Sequence, residues 1–553
     1  MSPKYIFVSG GVISGVGKGV TTASIALLLK SAGFKVSPLK IDMYLNIDAG
    51  TIRPQEHGEV FVTDDGVETD EDIGHYERFL NESFSKANYL TTGQIYQEVI
   101  RKERAFEYNG EDVEAIPHVT DEIIRRIKLA GTARQADIIL IELGGTVGEY
   151  QNAIFFEANR ILKLRNPNDV FHIHVAYLPV VVSVGELKSK PVQTSVHILN
   201  SLGIQPDFVI TRSEKLIDKK RRERLALFCN VNEEDIIDNP DVESIYEVPL
   251  NLEKQNFSQK LLNKIGFKNK KVDIKNWQEM FTKIKSGKKE VKIALVGKYF
   301  VTGDFMLSDS YISVVEALKH AGSMLEIKPK IAWIDSEQIE KNGVDLLKPY
   351  QGIIVPQGWG NRGMEGKIQT VKFCRENKIP YLGLCYGMQM AIIEFARNVC
   401  QLKNANTTEA EAKTPYPVIH IMPDQQEYLK KHQYGGTIRL GVWPCKILPE
   451  TKLQTIYGKW SMEHGTLNVN KPMTISERHR HRYEFNNKYR ELMEKKGLII
   501  SGVSPDGRLV EAIELSNHPF FIGTQYHPEY KSRPLSPHPL FLEFVKAANQ
   551  FPH

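Results

Sequence analysis

Residues 379–389 read Ile-Pro-Tyr-Leu-Gly-Leu-Cys-Tyr-Gly-Met-Gln, a short buried-strand pattern that runs straight into a cysteine. Gly383 and Gly387 bracket Cys385 two positions to either side. That is the spacing of the G-x-S-x-G elbow with sulfur in place of oxygen, and it demands a sharp strand-to-helix turn with small, permissive neighbours. Such a turn exposes the thiol at the end of its strand. Backbone N–H groups at the helix N-terminus then lower its pKa and cradle an oxyanion. Far downstream, Gln525-Tyr526-His527-Pro528-Glu529 offers a general base and a carboxylate to orient it. A lone cysteine is more often a buried structural residue. Here the elbow glycines and the His-Pro-Glu string favour an acyl-transfer nucleophile.

The surrounding pattern fits an α/β architecture. Strand signals at 4–8, Val36–Lys40, Asp137–Ile141, Phe171–Val175 and Phe208–Ile210 alternate with helical runs such as Thr21–Ser31. A further strand-like stretch covers Val180–Val184. This alternation predicts a parallel sheet covered by helices. A second series begins at Val291–Val296 and continues through Ile353–Val355 and Ile379–Leu384. Between the two series the composition turns lysine-rich, while Ile274, Trp277, Phe281 and Ile284 share one helical face, so this linker is expected to dock. The expected domains are 1–266 and 291–553, joined by a linker over 267–290. With 71 basic and 67 acidic residues, the net charge of +4 advertises neither a nucleic-acid nor a membrane surface. Five scattered cysteines point to a reducing compartment. The first ten residues do not read as a signal peptide, and no apolar run reaches the length of a membrane span. The expectation is a soluble, cytoplasmic protein.

The first domain opens with a phosphate-binding loop. Gly10-Gly-Val-Ile-Ser-Gly-Val-Gly-Lys-Gly follows a strand and opens a helix, so backbone N–H groups and the helix dipole both face the loop. The strict P-loop pattern wants glycine at 12 and a hydroxyl at 19, where this chain has Val12 and Gly19. Loss of that hydroxyl removes a usual magnesium ligand, so the metal must be held elsewhere. Glu142 ends the apolar run 138–141, and Asp72 sits in an acidic loop whose default reading is a solvated turn. Magnesium wants one or two carboxylates plus phosphates, which this pair supplies. Lys188 and Lys190 flank Ser189 after a strand, Lys40 ends another, and both places suit phosphate. The run Lys219–Arg224 reads by default as a solvated helix face.

Taken together, Lys40-Ile-Asp, His57-Gly-Glu-Val-Phe-Val-Thr-Asp-Asp-Gly, Gly74-His-Tyr-Glu-Arg-Phe, Glu142-Leu-Gly-Gly-Thr-Val-Gly, Lys188-Ser-Lys-Pro-Val-Gln and Arg478-His-Arg-His-Arg-Tyr-Glu, with the glycine loop, resemble the CTP synthase family over nearly the entire chain. The resemblance implies two doubly wound α/β domains: a P-loop-like, dethiobiotin-synthetase-like amidoligase and a flavodoxin-like class I glutaminase. It implies ATP-dependent amination of UTP through a 4-phosphorylated intermediate, with ammonia released from glutamine. Cys385, His527 and Glu529 would form the glutaminase centre. Ser14, Gly15, Val16, Gly17, Lys18, Gly19, Val20, Lys40 and Asp72 would bind ATP, with Asp72 and Glu142 on Mg2+. Ser14, Glu149, Tyr150, Gln151, Lys188, Ser189, Lys190, Pro191, Val192, Gln193 and Arg224 would hold UTP or the feedback inhibitor CTP. Gly358, Tyr386, Gly387, Met388, Gln389, Glu409 and Arg482 would hold glutamine, with the N–H groups of Gly358 and Tyr386 on the oxyanion. Pro54, His57 and Val60 would line an ammonia passage, and Arg362 and Glu365 would serve activation by GTP. A cytoplasmic homotetramer is the implied assembly.

Some positions depart from the family pattern. Thr-Val-Gly-Glu-Tyr-Gln at 146–151 replaces the usual Thr-Val-Gly-Asp-Ile-Glu, which touches the feedback region. Arg224 stands for a common lysine, Gln357 for a glycine beside the oxyanion loop, and Met43 and Ala49 for prolines. Two other readings compete: an ATPase switch carrying a degenerate amidotransferase domain, and an amidotransferase acting on a cobyrinate-like or biotin-precursor acid. The intact Cys385, His527 and Glu529 oppose the first. The strings at 57–66 and 188–193 oppose the second.

Overall fold

The apolar runs of the N-terminal half form strands whose residues are buried almost without interruption, as expected where helices cover both faces of a parallel sheet. The computed structural model describes residues 2–181, 185–267, 270–302, 305–422, 425–431, 435–463 and 473–552. The strand-like stretch expected at Val180–Val184 therefore lies partly outside the described residues. The chain divides into two compact units, one of residues 1–48 and 72–278, the other of residues 49–71 and 279–553.

The first unit carries seven strands: β1 (Lys4–Gly11), β2 (Val36–Asp42), β3 (Tyr89–Thr91), β4 (Ile138–Leu143), β5 (Val170–Tyr177), β6 (Phe208–Ser213) and β7 (Ile236–Pro240). Their order is β7-β6-β5-β1-β4-β2-β3, and every pairing is parallel. The connection after β1 runs towards β2 and that after the adjacent β5 runs the other way towards β6, so the loop after β1 sits at a topological switch point, where open α/β sheets bind ligands. That loop leads into α1 (Lys18–Ser31), and α2 (Glu71–Leu80) brings Asp72 beside it. One core cluster packs Phe7, Ile139 and Ile141 with Ile123 and Ile127 of α3 (Thr120–Arg134) and Phe155 and Phe156 of α4 (Ala153–Arg165). Another packs Val209 with Val192 and Val196 of α5 (Lys190–Ser201) and Leu225 of α6 (Lys219–Cys229).

The linker is a helix, α7 (Lys275–Ser286), and the division between units falls within it. Ile274, Trp277 and Phe281 are buried, as the helical stripe predicts. The Trp277 indole donates to the Tyr246 carbonyl at 2.9 Å, and its ring lies 5.1 Å from that of Phe79.

The second unit holds a nine-stranded sheet: β8 (Lys289–Gly297), β9 (Ile327–Asp335), β10 (Gly352–Val355), β11 (Tyr381–Leu384), β12 (Arg439–Ile447), β13 (Thr474–His481), β14 (Leu498–Val503), β15 (Val510–Leu515) and β16 (Phe521–Thr524), in the order β9-β8-β10-β11-β16-β15-β14-β12-β13. The first five positions pair in parallel, and the rest form an antiparallel extension. Helices α8 (Ile312–Leu325), α9 (Met364–Asn377), α10 (Tyr386–Asn398) and α11 (Pro539–Gln550) contribute to its two large core clusters.

The grouping of residues 49–71 with this unit differs from the expectation of one continuous domain over 1–266. The cause is electrostatic. Arg478, fully buried on β13, pairs with Asp64 at 2.6 Å, and Arg480 pairs with Glu68 at 2.7 Å. The Tyr530 hydroxyl donates to the Val60 carbonyl at 3.0 Å. No composition shift marks the segment, because its partners lie more than 400 residues away.

Trp277→Ala is expected to lower stability by about 3–5 kcal/mol, the usual cost of truncating a buried large aromatic. Scanning calorimetry checks it: an unchanged melting profile would mean that the linker does not dock.

Candidate functional site

Two clusters of buried polar side chains stand at strand ends, one in each unit. In the first, the loop between β1 and α1 departs from a strict P-loop in two places, and both departures have a structural reason. Val12 adopts φ 79°, the left-handed conformation that a glycine would take at no cost. Such strain in a β-branched residue persists only where surrounding structure enforces it. At Gly19 there is no room for any side chain: a Cβ there would lie 1.7 Å from Asp72 Oδ1. The Asp72 carboxylate thus occupies the space that a residue-19 hydroxyl would need.

Around this loop the charges are dense. Lys40, at the end of β2, bonds Asp72 and reaches Glu142 Oε1 at 3.1 Å, while Tyr76 on α2 donates to Glu142 Oε2. Burial and the neighbouring Asp72 push the Glu142 carboxyl up to about 7. Burial opposes the charge on Asp72 as well, but the Lys40 ammonium holds it below the usual carboxylate range. Lys18 donates to the Gly145 carbonyl at 2.8 Å, and its burial lowers its pKa against the opposing pull of Glu142. The sequence reading missed Tyr76, Gly145 and Arg212. The last approaches the loop at the Gly15 carbonyl, 3.5 Å away. Their signals are tertiary, since each comes from a different element.

Ser14 and Gly15 are exposed on the loop, while Val16 is buried and Gly17 and Val20 are partly so. The other residues expected to hold a pyrimidine nucleotide are not enclosed. Lys188 pairs with Glu186 at 2.7 Å, Lys190 is exposed, and the Arg224 guanidinium lies 5.7 Å from the Phe228 ring centre. Ser189 accepts from Gln193 at 3.1 Å, Pro191 starts α5, and the Val192 side chain is in the core. Glu149 folds back to accept from the Thr146 N–H at 2.6 Å. Tyr150 is 95% exposed and Gln151 is also at the surface.

The second cluster is built by strand register. β11 pairs in parallel with β16, placing Leu384 opposite Thr524, and the Cys385 N–H donates to the Thr524 carbonyl at 2.6 Å. Cys385 has φ 51° and ψ −99°, a strained elbow immediately before α10. The flanking glycines are steric necessities. A Cβ at Gly387 would lie 2.0 Å from the Val355 carbonyl oxygen, and one at Gly383 would lie 2.8 Å from the Gly387 backbone. His527 and Glu529 follow β16, with His527 Nδ1 2.8 Å from Glu529 Oε1. His527 Nε2 is buried in the wall of the cleft that also holds Cys385, with no hydrogen-bond partner among the described residues. Burial disfavours its charge, but Glu529 and then Cys385 outweigh that and raise His527 to about 10.

Gly358, Tyr386, Gln389, Glu409 and Arg482 line the same cleft. Glu409 accepts from the Gly360 N–H at 2.6 Å, and Arg482 is held by Gln425 and Thr437, each at 2.9 Å. Gly387 and Met388 offer only backbone, since Met388 is packed in the core. Gln525, whose amide lies 3.5 Å from Cys385 Sγ, was singled out only as part of the histidine string.

Beside the cleft is a cavity of about 570 Å3, lined by Arg53, Pro54, Glu68, Trp359, Arg362 and Arg480 among others. Glu365 is exposed and pairs instead with Arg397 at 2.8 Å. His57 is exposed, 3.4 Å from Asp70, and Val60 is buried against Tyr530.

The chain is similar to known proteins. The family profile described as CTP synthase N-terminus matches residues 4–267, and that for class I glutamine amidotransferases matches residues 306–547. A CTP synthase from Caldanaerobacter subterraneus subsp. tengcongensis is 51% identical over 546 residues, covering 98% of each chain. One from Carboxydothermus hydrogenoformans is 49% identical, covering 99% of this chain and 98% of its own. Among solved structures, the acivicin-bound glutaminase domain of Trypanosoma brucei CTPS is 34% identical, with a TM-score of 0.41, covering 48% of this chain and 95% of its own.

Gly19→Ser supplies the hydroxyl of a strict P-loop but drives its Cβ into Asp72. If the loop is part of a reaction centre, the variant is expected to lower the rate of the reaction by about 100-fold, the scale of loss that a displacement of about 1 Å produces in a positioned site. Steady-state assay of the whole reaction checks this, and a parent-like rate would show that Asp72 yields freely.

Proposed function

Because the chain belongs to the CTP synthase family, whose glutamine-hydrolysing ligase activity aminates UTP to CTP at the expense of ATP, we propose a role for each cluster and name the residues that carry it. The amidoligase domain, residues 1–266, activates UTP, and the glutaminase domain, residues 291–553, supplies ammonia. The observation that carries this reading is the Cys385–His527–Glu529 arrangement at two adjacent strand ends.

In the glutaminase centre, Cys385 Sγ attacks the side-chain carbonyl of glutamine, and the N–H groups of Gly358 and Tyr386 receive the oxyanion. His527 takes the thiol proton as the attack begins and then gives it to the departing nitrogen, releasing ammonia and leaving a thioester. It then takes a proton from the water that hydrolyses the thioester to glutamate. Glu529 fixes the imidazole through Nδ1, so that Nε2 faces the chemistry. Glu409 and Arg482 take the amino and carboxylate groups of glutamine. For Arg482 a bidentate guanidinium suits the task. Pro54, His57 and Val60 line the ammonia passage.

In the amidoligase centre, the loop from Ser14 to Val20 and Lys18 hold the ATP phosphates, with Lys40 beside them. Asp72, half-buried beside Gly19, and the buried Glu142 are bridged by Lys40 and form a carboxylate pair whose donor set would fit Mg2+. The ion, when bound, neutralises phosphate charge during transfer to O4 of UTP. Ser14, Glu149, Tyr150, Gln151, Lys188, Ser189, Lys190, Pro191, Val192, Gln193 and Arg224 serve UTP and CTP. The exposure of Ser14, Tyr150, Gln151, Lys190 and Arg224 in one chain is what a site completed by neighbouring subunits requires, which supports a homotetramer. The arginine-rich cavity beside the glutamine cleft, with Arg362 in its wall and Trp359 available for stacking, supports GTP as an activator, with Glu365 nearby in sequence. Five free cysteines, all buried, agree with a reducing, cytoplasmic location, and among the described residues no helix is long and apolar enough to cross a membrane.

Cys385→Ala is expected to lose glutamine-dependent CTP formation by about a thousandfold or more, as removal of a nucleophile does. It should retain amination by free ammonium at the parent rate. Loss of both activities, or retention of both, counts against the division of labour. Replacing Glu149-Tyr150-Gln151 by Asp-Ile-Glu is expected to shift the inhibition constant for CTP, and an unchanged constant would remove these residues from feedback.

A further inference from the structure

The backbone of residues 357–360, opposite the elbow, is tied at almost every turn. The Tyr311 hydroxyl donates to the Gln357 carbonyl at 3.1 Å, and the Trp359 N–H donates to the Tyr299 hydroxyl at 3.1 Å. Lys298 donates to the Trp359 carbonyl and, at 3.1 Å, to that of Gly360, while the Gly360 N–H is taken by Glu409 at 2.6 Å. The remaining tie comes from the elbow itself: the Tyr386 hydroxyl donates to the Gly360 carbonyl at 2.6 Å. Gly358 sits in the middle of this stretch, and its N–H has no hydrogen-bond partner among the described residues.

Tyr386 is the first residue of α10, so its own N–H is one of those that a helix leaves unpaired at its start. Its ring is buried, and its place is fixed from outside: the side-chain nitrogens of Lys298 and Lys367 lie 4.9 Å and 5.0 Å from its centre. Lys367 Nζ is fully buried with no hydrogen-bond partner among the described residues, and burial pushes its pKa well down, so it packs on the ring face in a dry site. The same two lysines crowd Gly358, where a Cβ would stand 3.0 Å from Lys298 Cε and 3.3 Å from Lys367 Nζ.

We infer that the Tyr386 side chain is a positioning group for glutamine hydrolysis: one rigid ring joins the start of α10 to the loop carrying Gly358, and so sets the spacing between two backbone N–H donors that must meet a single oxyanion. The inference rests on the reading of Cys385 as nucleophile and of those N–H groups as the oxyanion site. Its physical basis is that preorganised donors are effective only when aimed at the place where charge develops. The hydroxyl bonds the Gly360 carbonyl and acts through it.

Tyr386→Phe removes the tie while keeping the ring between its lysine neighbours. It is expected to lower kcat for glutamine hydrolysis by about tenfold, less than the roughly 100- to 1,000-fold that deleting an oxyanion donor costs. KM for glutamine and ammonia-dependent CTP formation are expected to stay within about twofold, because the ring tie affects the oxyanion and not ground-state binding. Alkylation of Cys385 by iodoacetamide, a displacement that forms no oxyanion, should keep its parent rate, and the melting temperature should be unchanged. A parent-like kcat would overturn the inference, as would alkylation slowed as much as hydrolysis, or a loss confined to KM. If the alkylated parent still hydrolyses glutamine, the reading of Cys385 falls and takes this inference with it. A tenfold loss in kcat alone, with alkylation intact, upholds both.

Discussion

Parallel pairing of two short strands, Tyr381–Leu384 with Phe521–Thr524, is the constraint on which the glutaminase centre depends. Strand ends are fixed points. A residue just past one strand and a residue just past its neighbour are brought within a few ångströms, however long the chain between them. Here that chain is nearly 140 residues, yet the Cys385 N–H still bonds the Thr524 carbonyl. Everything else in the cleft follows from holding that register. The elbow strain at Cys385, the excluded side chains at Gly383 and Gly387, and the burial of His527 against Glu529 are tolerable only because the sheet beneath is packed on both faces.

The amidoligase centre is governed by a different balance. Three buried ionisable groups, Lys18, Lys40 and Glu142, and the half-buried Asp72 lie together, and none is cheap to bury alone. Their mutual pairing offsets the loss of water. The same arrangement keeps two carboxylates within reach of the phosphate loop. Gly19 is where these demands meet, for the Asp72 carboxylate lies in the space that a side chain there would take. A loop that reads as a degenerate motif is, in three dimensions, a loop with a carboxylate from another helix packed against it.

The buried arginines of β13 connect sequence to architecture in a third way. Arg478 and Arg480 each hold a carboxylate from the segment 49–71, and Arg480 also carries the carbonyl that lies 3.8 Å from Cys385 Sγ. The segment expected to line the ammonia passage is therefore packed within the unit that makes ammonia. Its charged residues looked like a solvated turn because local composition cannot reveal a partner on a distant strand. The resemblance placed Pro54, His57 and Val60 together but said nothing of what anchors them.

Local chemistry was legible in the sequence. The strand–loop–helix phosphate site, the Cys385 elbow with its glycines, the His-Pro-Glu string, the docking stripe of the linker and the alternation of a parallel α/β fold are all set by neighbours within a few residues. Short-range sterics and helical or strand periodicity suffice to specify them. What the sequence left open were relations between elements: Lys40 bridging Asp72 and Glu142, Tyr76 on Glu142, Val12 holding a glycine's conformation, the capture of residues 49–71, and the phenol of Tyr386 tied to the Gly360 carbonyl. Those contacts depend on register and burial, which only the packed sheets decide, because desolvation and hydrogen-bond geometry act through space and leave no fixed spacing in the chain.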